Sequence, residues 1–153
     1  MREGDLPRIA EFEREVFDDP WPESFFLGEL AQPMVHAVVA ERDGALAGYS
    51  VAWLGPDGGH LGNLAVMPGC RRRGIARRLV IDLLERARAQ GCEALSLEVR
   101  VSNFAAQGLY RGHGFRLAGL RRGYYRGTGE DALIMEWNAD SEPTARAAQG
   151  GGR

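Results

Sequence analysis

Between Gly74 and Gln90 the apolar residues Ile75, Leu79, Val80, Leu83, Leu84 and Ala87 recur at the spacing of one helix face, and Gly91 ends the pattern. This stripe constrains the fold because strand-like segments flank it. "HLGNLAVMP" precedes it and stops at Pro68-Gly69, while "CEALSLEVR" alternates after it. A helix set between strands has to bury its apolar face on their sheet.

The same reading extends along the chain. Asp5-Leu6-Pro7 opens a helix over about 5–17, and a shorter helix runs from near Pro22 to Leu30. "MVHAVVAE" and "LAGYSVAWL" read as strands joined by the "RDGA" turn. Asn103 to Gly112 reads as a helix with Phe104, Leu109 and Tyr110 available for burial. "FRLAGLRRGYYR" and "DALIMEWN" are the last two strands. The expected order is αα-βββ-α-β-α-ββ, an α/β (α+β) domain of three-layer character. Its 153 residues suit one domain, expected over 1–138, with a disordered, polar, glycine-rich tail over 139–153.

Charge is distributed unevenly. Residues 1–70 hold 4 Arg against 12 acidic residues, whereas residues 71–126 hold 13 Arg against 4. The middle suits a polyanion and the first part suits a cation, unless these are simply two solvated faces. Cys70 and Cys92 lack metal-ligand spacing and read as free thiols, and the three histidines are scattered, so no metal site is expected. No apolar run approaches the roughly 20 residues of a membrane span, and "MREGDLPRIAEFERE" has no apolar signal core. A cytoplasmic protein without a membrane partner is expected.

The densest positive charge, "CRRRGIARRL", falls where the central helix begins. A helix N-terminus carries unpaired N–H groups and the positive end of the dipole. Gly74 lets an anion approach the backbone, Ala76 keeps the first turn narrow, and the arginines add donors suited to phosphate. Arg71, Arg72, Arg73, Gly74, Ile75 and Ala76 therefore suit a pyrophosphate; a basic, solvated helix start is the alternative. The P-loop pattern is excluded because no Gly-Lys occurs, and the dinucleotide fingerprint because its spaced glycines are missing.

The pattern Arg71-x-x-Gly74-x-Ala76, followed by Ser102-Asn103, Ala106, Leu109-Tyr110 and Gly114-Phe115, resembles the GNAT superfamily of N-acetyltransferases over about Met1 to Trp137. "PWPESFF", "NLAV", "LEVRVSN" and "RRGYYRGTGEDALIM" are similar to the branch that acetylates ribosomal-protein alanine N-termini. The resemblance implies a mixed, mostly antiparallel central sheet flanked by helices, with acetyl-CoA as co-substrate. Members of the family usually open with a strand before the first helix; here that strand is short or missing.

The resemblance also assigns roles. Glu98 is the general base, acting through water, where an edge-strand surface charge is the plain alternative. Tyr110 protonates the leaving sulfur, although its position also fits a buried helix face. Leu64, Ala65 and Val66 serve pantetheine through their backbone, although their apolar side chains equally suit a plain core strand, and Asn103 contacts CoA or caps its helix, or does both. Trp21, with the acidic turn at Asp18-Asp19, borders an acceptor groove that Tyr124 and Asp131 close; one of Tyr124 and Tyr125 is expected to be structural.

The implied activity is acetyl transfer to a protein N-terminal α-amine, most specifically the alanine of a small-subunit ribosomal protein. The same chemistry on lysine or a small amine is the second reading. A non-catalytic CoA- or RNA-binding module is the third, and the thin supply of aromatics near the arginines argues against nucleic acid.

Overall fold

The computed structural model describes residues 1–141. After a 3-10 turn at Glu3–Asp5, the chain forms α1 (Leu6–Val16), α2 (Glu23–Leu30), β1 (Val35–Arg42), β2 (Ala45–Leu54) and β3 (Gly59–Val66). It continues as α3 (Ile75–Ala89), β4 (Ala94–Arg100), α4 (Phe104–Gly112), β5 (Arg116–Tyr125) and β6 (Glu130–Asn138). The order is the expected one, and no strand precedes α1 among the described residues.

One six-stranded sheet runs β1-β2-β3-β4-β6-β5. Only β3 and β4 pair in parallel, because α3 carries the chain back across the sheet between them. On one face Leu6, Ile9 and Phe12 of α1 and Phe26 of α2 pack on Tyr49, Val51 and Ala65. On the other, Leu83, Leu84 and Ala87 of α3 and Tyr110 of α4 pack on Leu95, Leu97, Val99, Met135 and Trp137. The stripe on α3 is thus the seam of the larger core, and each such buried leucine is worth about 1.5–3 kcal/mol.

Two details differ from the sequence reading. Phe104 is not buried but 76% exposed, because α4 turns Gln107 inward instead. Gln107 Nε2 donates to the carbonyls of Arg100 (3.0 Å) and Val101 (2.9 Å), which satisfies the end of β4 and fixes the β4–α4 corner. The expected boundary after residue 138 falls early: the Ala139 N–H donates to the Glu93 carbonyl at 2.8 Å and its side chain packs on the core. The rest of the expected tail, 142–153, lies outside the described residues.

Candidate active site

Strands β3 and β4 pair only at Gly59–Leu95, His60–Ser96 and Leu61–Leu97. Beyond that, β3 stays with β2 up to Val66 while β4 stays with β6 up to Arg100, and the two part company. The divergence begins at a bulge. Val51 faces Asn63 and Ala52 faces Leu61, leaving Gly62 as the extra residue. A Cβ on Gly62 would lie 2.2 Å from the Trp53 ring, so glycine alone fits there. The wedge leaves the backbone of Leu64, Ala65 and Val66 without a strand partner on the β4 side. That is the open edge an extended, amide-bearing ligand needs.

The phosphate candidate lies where β3 leads into α3. Arg72 (φ 60°) and Gly74 (φ 77°) are both left-handed, a conformation that curls successive N–H groups into an anion-binding concavity. A Cβ on Gly74 would meet nothing within 4 Å, so the approach is open. Arg71, Arg72 and Arg73 are exposed and make no salt bridge among the described residues, while Ile75 and Ala76 begin α3 half-buried. At the other helix start Asn103 Oδ1 accepts from the Ala106 N–H at 3.1 Å, so Asn103 is an N-cap.

Glu98 stands just past the last β3–β4 pair. Leu95, Leu97 and Val99 alternate into the α3–α4 core, which turns Ser96, Glu98 and Arg100 to the other face. The Glu98 side chain is 11% exposed, with His60 Nε2 at 3.0 Å from Oε2 and Arg121 Nε at 3.3 Å from Oε1. His60 Nδ1 lies 3.0 Å from Ser96 Oγ, and its ring stacks on Trp53 at 6.2 Å.

Tyr110 is buried, with its ring edge-to-face with Phe115 at 5.6 Å. Burial raises its pKa well above the ordinary phenol value, so it is neutral at any physiological pH. Tyr125 is half-buried beneath the Arg100 guanidinium, 4.0 Å from the ring, and burial lifts its pKa to about 12. Tyr124 is exposed, beside Glu98 and Arg121. Of the two tyrosines, Tyr125 is therefore the packed one and Tyr124 the one left open to solvent.

The segment that carries Trp21 rests on a buried carboxylate. Glu13, 1% exposed on α1, accepts from the Trp21 N–H at 2.9 Å and from Asn63 Nδ2 at 3.0 Å. Burial raises its pKa from 4.5 to about 7, and those two hydrogen bonds only partly offset the shift. The Trp21 ring packs on Phe25 (4.6 Å), Phe26 (5.7 Å) and Trp53 (6.5 Å). Across the groove the β5–β6 turn reaches the α1–α2 loop, where a Cβ on Gly127 would touch Asp18 at 3.6 Å. Asp131 Oδ1 accepts the Gly123 N–H at 2.7 Å and so braces the bulge of β5.

Residues 6–115 match the Acetyltransferase (GNAT) family. The chain belongs to this family. Within it, the chain is 43% identical over 141 residues to the N-alpha-acetyltransferase RimI of Mycobacterium tuberculosis, covering 88% of this chain and 87% of that one. It is 40% identical over 136 residues to a Bacillus subtilis protein described as a putative ribosomal protein bS18-alanine N-acetyltransferase, covering 88% and 90%. The crystal structure of the ribosomal-protein-S18-alanine N-acetyltransferase from Escherichia coli superposes with a TM-score of 0.83 at 32% identity, covering 93% and 92%.

As a GNAT acetyltransferase the protein is an acyltransferase, and enzymes of this fold use acetyl-CoA. Among the described residues no helix is long and apolar enough to cross a membrane, and no group of three or more His, Cys, Asp and Glu side chains could hold a metal. Sequence reasoning missed four residues of this candidate site: Glu13, His60, Gly62 and Arg121. Gly62 carried a usable signal, since a glycine inside a strand pattern marks a bulge. His60 and Arg121 come from separate strands and meet at Glu98, and Glu13 meets Asn63 of β3, only in the fold.

Proposed function

We propose that this acetyltransferase moves the acetyl group of acetyl-CoA to the α-amine of a protein N-terminus, an alanine of a small-subunit ribosomal protein. The carrying observation is the position of Glu98 immediately beyond the point where β3 and β4 part. A ligand lying along Leu64–Val66, with its pyrophosphate on Arg71–Ala76, would bring its thioester to that carboxylate. The activities named for the Bacillus, Mycobacterium and Escherichia relatives support the choice of acceptor.

The chemistry then follows from the side chains. An α-amine has a pKa of about 7.7–8.0 against about 10.4 for lysine, so a carboxylate acting through water suffices to take its proton. The acidic α1–α2 region and Glu98 draw the ammonium in, and its proton passes by way of that water to Glu98. The amine nitrogen attacks the thioester carbon and, as the C–S bond breaks and the sulfur leaves with the electron pair, the nitrogen gives up its second proton through the same water. That proton ends on the sulfur, leaving the amide and the free thiol of CoA. Tyr110 faces that sulfur as a phenol. Its raised pKa makes full proton transfer to a thiolate uphill, so it contributes chiefly a hydrogen bond to the developing negative charge. Trp21 and Tyr124 flank the incoming peptide.

The test is a peptide series read by mass spectrometry. A basic peptide beginning with alanine is acetylated at its α-amine, whereas the same peptide with a blocked terminus and a free lysine is not. Transfer to the blocked peptide alone would overturn the assignment of acceptor.

A further inference from the structure

The Glu98 carboxylate is held from both sides, by His60 on Oε2 and Arg121 on Oε1. Arg121 is a permanent cation. The His60 ring is fixed by three contacts: Glu98 at Nε2, Ser96 Oγ at Nδ1, and Trp53 stacked on its face. Trp53 is itself anchored, because its Nε1–H donates to Glu29 of α2. His60 therefore links α2 to the carboxylate on β4. We propose that His60 is a positioning residue for Glu98, one that holds the carboxylate aimed at the substrate amine. The inference rests on Glu98 acting as the base.

The argument is one of donors. A proton on Nε2 lets His60 donate to Glu98, and Ser96 Oγ can donate to a bare Nδ1, which fixes that tautomer. The two carboxylate oxygens are then held by different groups, His60 on Oε2 and Arg121 on Oε1, so removal of His60 leaves Glu98 free to turn about the Arg121 contact.

The experiment compares wild type, His60→Ala and His60→Gln across about pH 6 to 9, with kcat and KM measured separately on whichever acceptor the wild type uses and acetyl-CoA affinity measured alongside. His60→Ala is expected to lower kcat by on the order of tenfold to a hundredfold, with acetyl-CoA affinity intact. His60→Gln, whose amide N–H can stand in for Nε2–H, recovers most of that loss. Both variants within about twofold of wild type at every pH would overturn the proposal, as would a loss in acetyl-CoA affinity matching the loss in kcat. Glu98→Gln is the control: if it keeps wild-type turnover, the base assignment itself fails, a result distinct from any failure of His60.

Discussion

Oε2 of Glu13 accepts the backbone N–H of Trp21 at 2.9 Å, so a buried carboxylate on the first helix fixes the residue that opens the proposed acceptor wall. The arrangement carries a pH signature. With the native pKa near 7 against 4.5 for a free side chain, the folded protein keeps a proton that the unfolded chain has already lost across that interval. The stability contributed by neutral Glu13 is therefore complete below about pH 4.5 and fades as pH rises through about 7. Glu13→Gln cannot ionise, and its amide can face Asn63 once that side chain rotates. The gap between mutant and wild-type unfolding free energies should shift in favour of the mutant by on the order of 3 kcal/mol between acid and pH 8. Urea titrations at several pH values check this; parallel curves would show that Glu13 does not carry the proton.

Gly62→Ala should be costly despite the small change. The added methyl would collide with the Trp53 ring at the bulge that separates β3 from β4. Overpacking of this kind costs about 1–3 kcal/mol. Relief by displacement of Trp53 would also disturb the stacked His60, so turnover should fall more than the lost stability alone explains. Thermal unfolding and steady-state kinetics on one preparation separate the two effects, and a variant with wild-type stability would mean that the ring moves freely.

The layers and the order of elements were legible in the sequence because each element carries its own periodicity and stop signals. The stripe from Ile75 to Ala87, closed by Gly91, specifies α3 without reference to anything else. The loop proposed to take the pyrophosphate could be picked out for the same reason, since Arg71 to Ala76 are contiguous. The surroundings of Glu98 were not legible, because His60 of β3 and Arg121 of β5 reach it from strands whose pairing is set by the whole sheet. Asp131 shows what an acid's position alone does not reveal, since its bond to the Gly123 N–H joins residues on two strands.

Gly74→Ala should separate phosphate binding from folding. Its φ of 77° costs a side-chain-bearing residue about 1–2 kcal/mol. Nothing lies near the new methyl in the protein itself, so the remaining effect falls on whatever approaches the loop. Acetyl-CoA should then raise the melting temperature of the mutant much less than that of the wild type, since stabilisation by a ligand scales with its affinity. An equal rise in both would mean that the pyrophosphate is held elsewhere.

Tyr110→Phe tests the hydrogen bond to sulfur with little structural disturbance. The ring keeps its packing against Phe115, and only the hydroxyl is lost. An interaction made as charge develops on sulfur belongs to the transition state, so kcat should fall by about 10²-fold while acetyl-CoA affinity and acceptor KM hold. Because burial keeps Tyr110 a phenol far above neutrality, the wild type should show no loss of kcat attributable to its ionisation below about pH 10. A basic limb near pH 8 that disappears in the phenylalanine variant would mean that Tyr110 ionises in the working enzyme. Equal turnover in the two proteins would remove Tyr110 from the reaction and leave it as part of the core beneath α4.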